Sequence, residues 1–247
     1  MRLTIVGCGD AFGSGGRANT CFWLETAKAT LTVDFGASSL PALKARGLDP
    51  NAIDGIVLSH LHGDHFGGLP FLLLDYQFLA RRDRPLTIAG PPGTRERLEA
   101  ALEVLFPKAS RNKWRFSWSV QEIPVGVETD VLGHLVLTGE VIHQSGAPST
   151  ALRLSDGETT FAYSGDTEWT DVLNPIAAGA DLFVCECYGF AGKMTGHLTW
   201  EILKPRISGL RAKRLMLTHM GPSALAKIDE FKPAGLLIAE DGLVFEF

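Results

Sequence analysis

The segment Ser59-His60-Leu61-His62-Gly63-Asp64-His65 sets three imidazoles and one carboxylate within six consecutive positions. Imidazole nitrogen and carboxylate oxygen are donors that zinc and its first-row neighbours accept. A continuous helix cannot gather all four, because only residues three or four apart share a helical face. His60 and Asp64 would meet, while His62 and His65 would point elsewhere. The segment is therefore expected to turn sharply, with Gly63 permitting the turn. Four donors exceed the three that one open catalytic zinc takes from protein, so the cluster suggests two adjacent ions. The bland alternative is a His-rich surface loop. Against it stands the apolar run Ile56-Val57-Leu58, which reads as a buried strand delivering donors at its end. Donors carried on rigid elements hold their geometry better than donors on free loops.

The rest of the chain bounds the setting. A net charge of −5 exerts no general pull on nucleic acid or an anionic membrane, although a local basic patch could still bind phosphate. At 247 residues, without a low-complexity linker or composition break, one domain spanning 1–247 is expected. Cys8, Cys21, Cys185 and Cys187 form no C-x-x-C pair and read as small buried hydrophobes in a reduced protein. Met1 to Gly7 reads as a strand, without the apolar core of a signal peptide. No apolar run approaches the roughly 20 residues of a membrane span. These features predict a soluble cytoplasmic protein with no membrane partner.

Strand patterns run over Leu3–Val6, Thr20–Leu24, Leu31–Val33, Ile53–Leu58 and Pro85–Ala89, dominate from Trp114 to Tyr163, and recur at Leu182–Cys187, Arg214–Leu217 and near Phe247. The Gly-rich loop from Gly7 fails as a dinucleotide fingerprint, because position 12 is Phe12 and a strand follows instead of a helix. Helices are expected over Ser38–Arg46, Phe66–Ala80, Thr94–Leu105, Asp171–Ala178 and Ala224–Phe231. Phe66–Ala80 is apolar on nearly every face, which a buried helix and contact with a second subunit in a homodimer explain equally well. Two groups of strands with interspersed helices fit an α/β, sheet-on-sheet core covered by helices. Within it, Trp114, Phe116 and Trp118 alternate, which favours one sheet face packed on the core over a stacking platform for RNA.

Four strand patterns end in a ligand-type side chain: His60, His143, Asp166 and His219. Any one alone is unremarkable; the repetition carries the inference. Of seven histidines only His134, read as structural, and His197 fall outside the pattern. This order of motifs resembles the metallo-β-lactamase superfamily, and most closely the branch of tRNase Z and its short phosphodiesterase relatives. Leu58 to Pro70 is similar to its signature loop, as are Asp34-Phe35-Gly36, Gly90-Pro91-Pro92-Gly93, Ser164-Gly165-Asp166-Thr167 and Gly196-His197-Leu198-Thr199. The resemblance runs from residue 3 to about 222 and implies a four-layer αββα sandwich with a dinuclear site at one edge.

Carried over by position, one metal would take His60, His62 and His143, and the other Asp64, His65 and His219, with Asp166 bridging. That leaves room for a water or hydroxide between two ions. Such a pair lowers the pKa of that water and clamps attacking and leaving oxygens, and Asp64 could accept its proton. Zinc suits the donors; manganese and iron remain open. His62 stands where redox relatives carry Glu, which favours hydrolysis, and Asp166 stands where true β-lactamases carry Cys.

Asp34, at the end of a buried strand, is expected to orient a cluster histidine, the alternative being a helix cap. The resemblance implies that His197 assists the leaving oxygen and that Glu186 holds it; the alternatives are a helix-entry His and a strand-end Glu. Arg17 and Asn19 resemble the branch's Arg-Asn pair near the site and are candidate substrate-binding residues, or else solvated loop.

The expected function is metal-dependent hydrolysis of a small phosphodiester, cyclic or nucleotide-type. Members that process tRNA carry a protruding arm between the third ligand His and the bridging Asp; only residues 144–165, 22 in all, lie there in this chain. Nucleic acid is therefore the less favoured partner and a tRNA 3'-end endonuclease the lesser reading. Hydrolysis of a lactone, thioester or sulfate ester, and a non-catalytic metal-binding module, stand as alternatives.

Overall fold

The computed structural model describes residues 1–231 and 235–247, all but the side chain of Ser110. Two seven-stranded sheets stack face to face. In the first, the order is β14 (Val244–Glu246), β1 (Arg2–Gly7), β2 (Cys21–Glu25), β3 (Thr30–Val33), β4 (Gly55–Val57), β5 (Leu86–Gly90) and β6 (Trp118–Glu122). In the second it is β13 (Leu237–Ile238), β12 (Leu215–Thr218), β11 (Leu182–Glu186), β10 (Thr160–Tyr163), β9 (Thr150–Ser155), β8 (His134–Glu140) and β7 (Thr129–Val131). Each sheet is antiparallel over one half and parallel over the other. The central strands are buried on both faces, which is why they read as continuous apolar runs instead of alternating ones.

Three apolar layers hold the stack. Between the sheets, Leu3, Ile5, Phe22, Leu24 and Val33 meet Leu152, Leu154, Phe161, Tyr163 and Val184. The Phe22 ring meets Tyr163 edge-on at 5.1 Å across this seam. Outside the first sheet, α1 (Ser39–Ala45), α3 (Leu69–Leu74) and α4 (Thr94–Leu105) bury Leu43, Leu69, Leu72, Leu98 and Leu102 against Trp23, Ile56 and Ile88. Outside the second, α5 (Leu173–Ala177), α6 (Trp200–Leu203), α7 (Ile207–Leu210) and α8 (Pro222–Leu225) cover Ala162, Phe183, Cys185 and Leu217. Each fully buried Leu or Phe contributes roughly 1.5–3 kcal/mol. The resulting αββα order is the architecture expected from the sequence.

Three expectations need correction. Phe66–Ala80 is not one helix: a short α2 (Gly63–Phe66) ends before Gly67-Gly68, α3 follows, and a π-helical turn closes the run at Asp75–Leu79. Apolar periodicity cannot register such breaks, and the tight glycines make this one. A Cβ on Gly67 would stand 2.4 Å from the Gly63 carbonyl, and one on Gly68 2.3 Å from that of Gly36. Secondly, Gly63 does not use left-handed backbone; it starts α2, so Asp64 and His65 do sit on a helical turn, while His60 and the extended His62 precede it. Thirdly, Trp114 and Phe116 precede β6 and lie outside the sheet, although they pack with Trp118 and Tyr76 on the helical layer. All four cysteines are free and buried, and among the described residues no helix is long and apolar enough to cross a membrane.

Candidate metal centre

The carboxyl ends of β3, β4, β10, β11 and β12 open onto one edge of the stack, and the chain delivers Asp34, His60, Asp166, Glu186 and His219 there. Parallel strands place their C-terminal ends side by side, which is where open α/β sheets bind ligands. The two sheets are tied at this edge by backbone: Thr150 donates its N–H (3.0 Å) and its hydroxyl (2.8 Å) to the Ser59 carbonyl, and His219 N–H donates to the Cys8 carbonyl at 3.0 Å. Asp34, Gly165 and His219 all adopt left-handed backbone, with φ between 56° and 58°. For the two non-glycine residues this costs on the order of 1 kcal/mol each, and it turns the chain off the strand so that the side chains face the edge.

The seven candidate ligand residues converge. His60, His62 and His143 form one group, and Asp64, His65, Asp166 and His219 another, each with donor atoms within 4.8 Å of one another. Asp166 Oδ2 lies between them, 3.2 Å from His65 Nε2, 3.3 Å from His219 Nε2 and 3.9 Å from both His60 Nε2 and His143 Nε2. His60 Nε2, His65 Nε2 and Asp166 Oδ1 are buried without a hydrogen-bond partner. Orphaned buried polar atoms each cost about 1–3 kcal/mol. Several of them aimed at one place, with imidazole and carboxylate donors, fit a divalent cation.

Hydrogen bonds behind the donors fix their orientation. Asp34 is fully buried; its Oδ1 accepts from Ser59 N–H at 2.7 Å, and its Oδ2 accepts from the Ser59 hydroxyl at 2.8 Å and from His65 Nδ1 at 2.7 Å. It is thus placed against a cluster histidine and not on the following helix, whose N-cap is Ser38. His143 Nδ1 faces the Gly196 carbonyl at 2.7 Å, and Glu168 in turn accepts from Gly196 N–H at 3.1 Å. Burial works against ionisation of Asp64 and Asp166, but the surrounding imidazoles outweigh it and hold both carboxyls below the ordinary range.

His197 stands beside the second group. Its Nδ1 lies 3.1 Å from Glu186 Oε1, and its ring lies nearly parallel to those of Tyr188 (4.8 Å) and His219 (5.6 Å). Burial pulls its pKa down, yet the hydrogen bond to Glu186 and the nearby carboxylates push it up to about 9. Glu186 is fully buried and also accepts from Thr167 N–H at 2.6 Å, so it is a fixed anchor. A recess of about 190 Å³ is lined by Ala11, Phe12 and Tyr188 together with His62, Asp64, His143, Asp166, His197 and His219.

Arg17 and Asn19 are elsewhere. The Arg17 guanidinium donates to the Ala239 carbonyl at 3.1 Å, and Asn19 joins Asp10 to Ser38. Both face a separate surface cleft with Arg46 and Asp241. Sequence reasoning missed Ser59, Tyr188 and Phe12. Ser59 and Tyr188 carry only their adjacency to His60 and Glu186 as a signal. Phe12 is 81% exposed on a loop pinned by the buried Asp10, an apolar residue out of place, but loop exposure is not written in local sequence.

Comparison with known proteins agrees with this fold. The family described as anti-Pycsar protein Apyc1 matches residues 1–240. The probable metallo-hydrolase YhfI of Bacillus subtilis is 27% identical over 89% of this chain and 87% of its own. Its crystal structure superposes with a TM-score of 0.80 over 100% of this chain and 99% of that one, at 23% identity. Ribonuclease Z of Mycobacterium sp. (strain KMS) is 27% identical over 74% of this chain and 67% of its own. The short form of human tRNase Z superposes with a TM-score of 0.79 at 24% identity, covering 100% of this chain and 99% of that one.

Proposed function

From a chain that belongs to the Apyc1 family and, through it, to the metal-dependent hydrolases of the metallo-β-lactamase superfamily, tRNase Z-like branch, we propose a two-zinc phosphodiesterase acting on a small cyclic or nucleotide-type diester. The observation that carries this reading is the pair of donor groups with Asp166 Oδ2 between them and the His197–Glu186 pair beside them. His60, His62 and His143 would hold one ion, and Asp64, His65 and His219 the other. Two such cations polarise a phosphoryl oxygen and make water acidic enough to attack near neutral pH.

The chain's own residues do the rest. Asp64 reaches the recess as a carboxylate, placed to take the proton that the attacking water loses. One P–O bond forms to that water, and the bond to the leaving oxygen breaks. His197, held protonated by Glu186, gives its proton to the leaving oxygen, so that a phosphomonoester and a free hydroxyl result, both on one molecule when the diester is cyclic. Tyr188 fixes the imidazole plane by stacking on it. A small substrate is favoured over RNA because residues 144–165 are spent on the β9–β10 hairpin and its flanks, with no protruding arm among them.

The test is hydrolysis of bis(p-nitrophenyl) phosphate by protein loaded separately with zinc and manganese, followed by cyclic nucleotides and an unprocessed tRNA. Chelator-sensitive release, then turnover of the cyclic diesters and not the tRNA, is the expected result. Preferred cleavage of tRNA would return the endonuclease reading. No release with two ions bound would favour lactone, thioester or sulfate-ester hydrolysis.

A further inference from the structure

Ser59 has a single hydroxyl proton and sits between a carboxylate and an imidazole. Its Oγ is 2.8 Å from Asp34 Oδ2 and 3.0 Å from His60 Nδ1, and all three residues are fully buried. Asp34 already faces Ser59 N–H through Oδ1 and the His65 ring through Oδ2, both at 2.7 Å, so it stands as an acceptor and the Ser59 proton goes to it. Toward His60 the hydroxyl then offers only a lone pair, which requires the proton of His60 to be on Nδ1 and leaves Nε2 bare. The reverse arrangement would oppose lone pairs across 2.8 Å and point an N–H from His60 into the cluster. Asp34 Oδ2 also takes the Nδ1 proton of His65, at 2.7 Å, so that His65 Nε2 is bare as well. These two Nε2 atoms are among the buried polar atoms without a partner. His60 belongs to one donor group and His65 to the other.

We infer that Ser59 is a positioning residue that extends the control of one carboxylate over both ion sites: Asp34 orients His65 directly and His60 through the Ser59 hydroxyl. The inference rests on the two-ion reading above. Partners behind a metal-bound imidazole are typically worth about 10–100-fold in affinity, so losing this link has a readable consequence on one site alone.

The experiment is titration of chelator-stripped full-length protein with zinc against a chromophoric chelator, which yields two stepwise constants. His143→Ala, which removes a donor from the His60 group only, identifies the step belonging to that group. Ser59→Ala is expected to weaken that step by about 10–100-fold and to leave the other within threefold. Ser59→Thr, which keeps a hydroxyl, is expected to restore it, and Asp34→Ala to weaken both. Nitrogen-15 spectra of the metal-free protein should place the His60 proton on Nδ1, and Ser59→Ala should free that tautomer, which separates orientation from misfolding. Ser59→Ala with two unchanged constants overturns the inference, as does equal weakening of both steps in a folded protein. A wild type that binds a single zinc sinks the two-ion reading and the inference together, an outcome distinct from two unchanged constants.

Discussion

His197 shows how a single side chain is tuned by what lies behind it. Glu186, buried and unable to move away, raises the imidazole pKa to about 9, above the ordinary 6.5. A raised value means that the ion pair contributes stability fully below pH about 6.5, and that this contribution is lost as pH rises through about 9. The same sign applies to catalysis if the proton is given to the leaving oxygen. Turnover is expected to hold through neutral pH and to fall on the alkaline side, with bound cations moving the limb below 9. Glu186→Gln should shift that limb to lower pH, and His197→Ala should lower kcat by about 10²–10⁴-fold while zinc content stays unchanged. Pre-steady-state rates across pH, measured beside metal analysis, check both. Phe12 offers a different prediction. It lines the recess from a rigid loop and is 81% exposed, so its apolar surface is available to the substrate. Phe12→Ala should raise KM for a nucleobase-bearing diester by about tenfold, the equivalent of 1.4 kcal/mol, with little change in kcat; an unchanged KM would remove Phe12 from the substrate's path.

The element that matters most is the turn from β4 into α2, and its shape is set by neighbours, not by its own glycine. A Cβ on Gly36 would stand 2.1 Å from the Asp64 carbonyl, whereas one on Gly63 would meet nothing within 4 Å. Phe35 N–H donates to the His65 carbonyl at 2.6 Å and Gly68 N–H to the Phe35 carbonyl at 3.0 Å, so the Asp34-Phe35-Gly36 segment is the mould on which α2 is cast. Gly36→Ala is therefore expected to displace Asp64 and His65, lowering both metal content and melting temperature. Gly63→Ala should be neutral, or stabilising by up to about 1 kcal/mol, because Ala is the better helix former. Paired thermal melts with metal analysis decide; a crippled Gly63→Ala variant would return the role to that residue. The sequence made the cluster legible as residue types at a spacing. It left the turn illegible, since the atoms that forbid a Cβ at Gly36 lie 28 positions along the chain, at Asp64.

At the scale of the whole molecule the candidate centre spans the seam of the sandwich. Its donors come from the first sheet through β4 and α2, and from the second through β10, β12 and the segment after β8. Cations held there would cross-link the sheets in the folded state only, and binding to the folded state alone stabilises by mass action. Chelation is expected to lower the melting temperature, and stoichiometric zinc to restore it, with gains of about 2.7 kcal/mol at a free concentration one hundred times Kd. Calorimetric scans with and without chelator test this, and a melt indifferent to both would argue against ions at the seam. Phe71, Phe78 and Leu79 are exposed apolar side chains on the α3 side, where the second subunit of the expected homodimer would sit.

The sequence by itself determined most of the strands, their grouping into two stacked sheets and the residue types of the 60–65 cluster, because apolar periodicity and ligand chemistry are local properties that survive without coordinates; the wider set of candidate donors came from the resemblance of its motifs to a known family. The sequence also carried the Asp34 expectation, since a carboxylate at the end of a buried strand must find a donor, whereas the Glu186 expectation came from the family resemblance. Only the tertiary structure decided what stands behind each candidate donor and which loop residues reach the recess. Arg17 and Asn19 illustrate the difference: their residue types suit an anion, but the backbone carbonyls of Ala239 and Asp10 claim them first. Those claims are made across the fold, by residues remote in the chain or by loop geometry, and no spacing in the sequence encodes them.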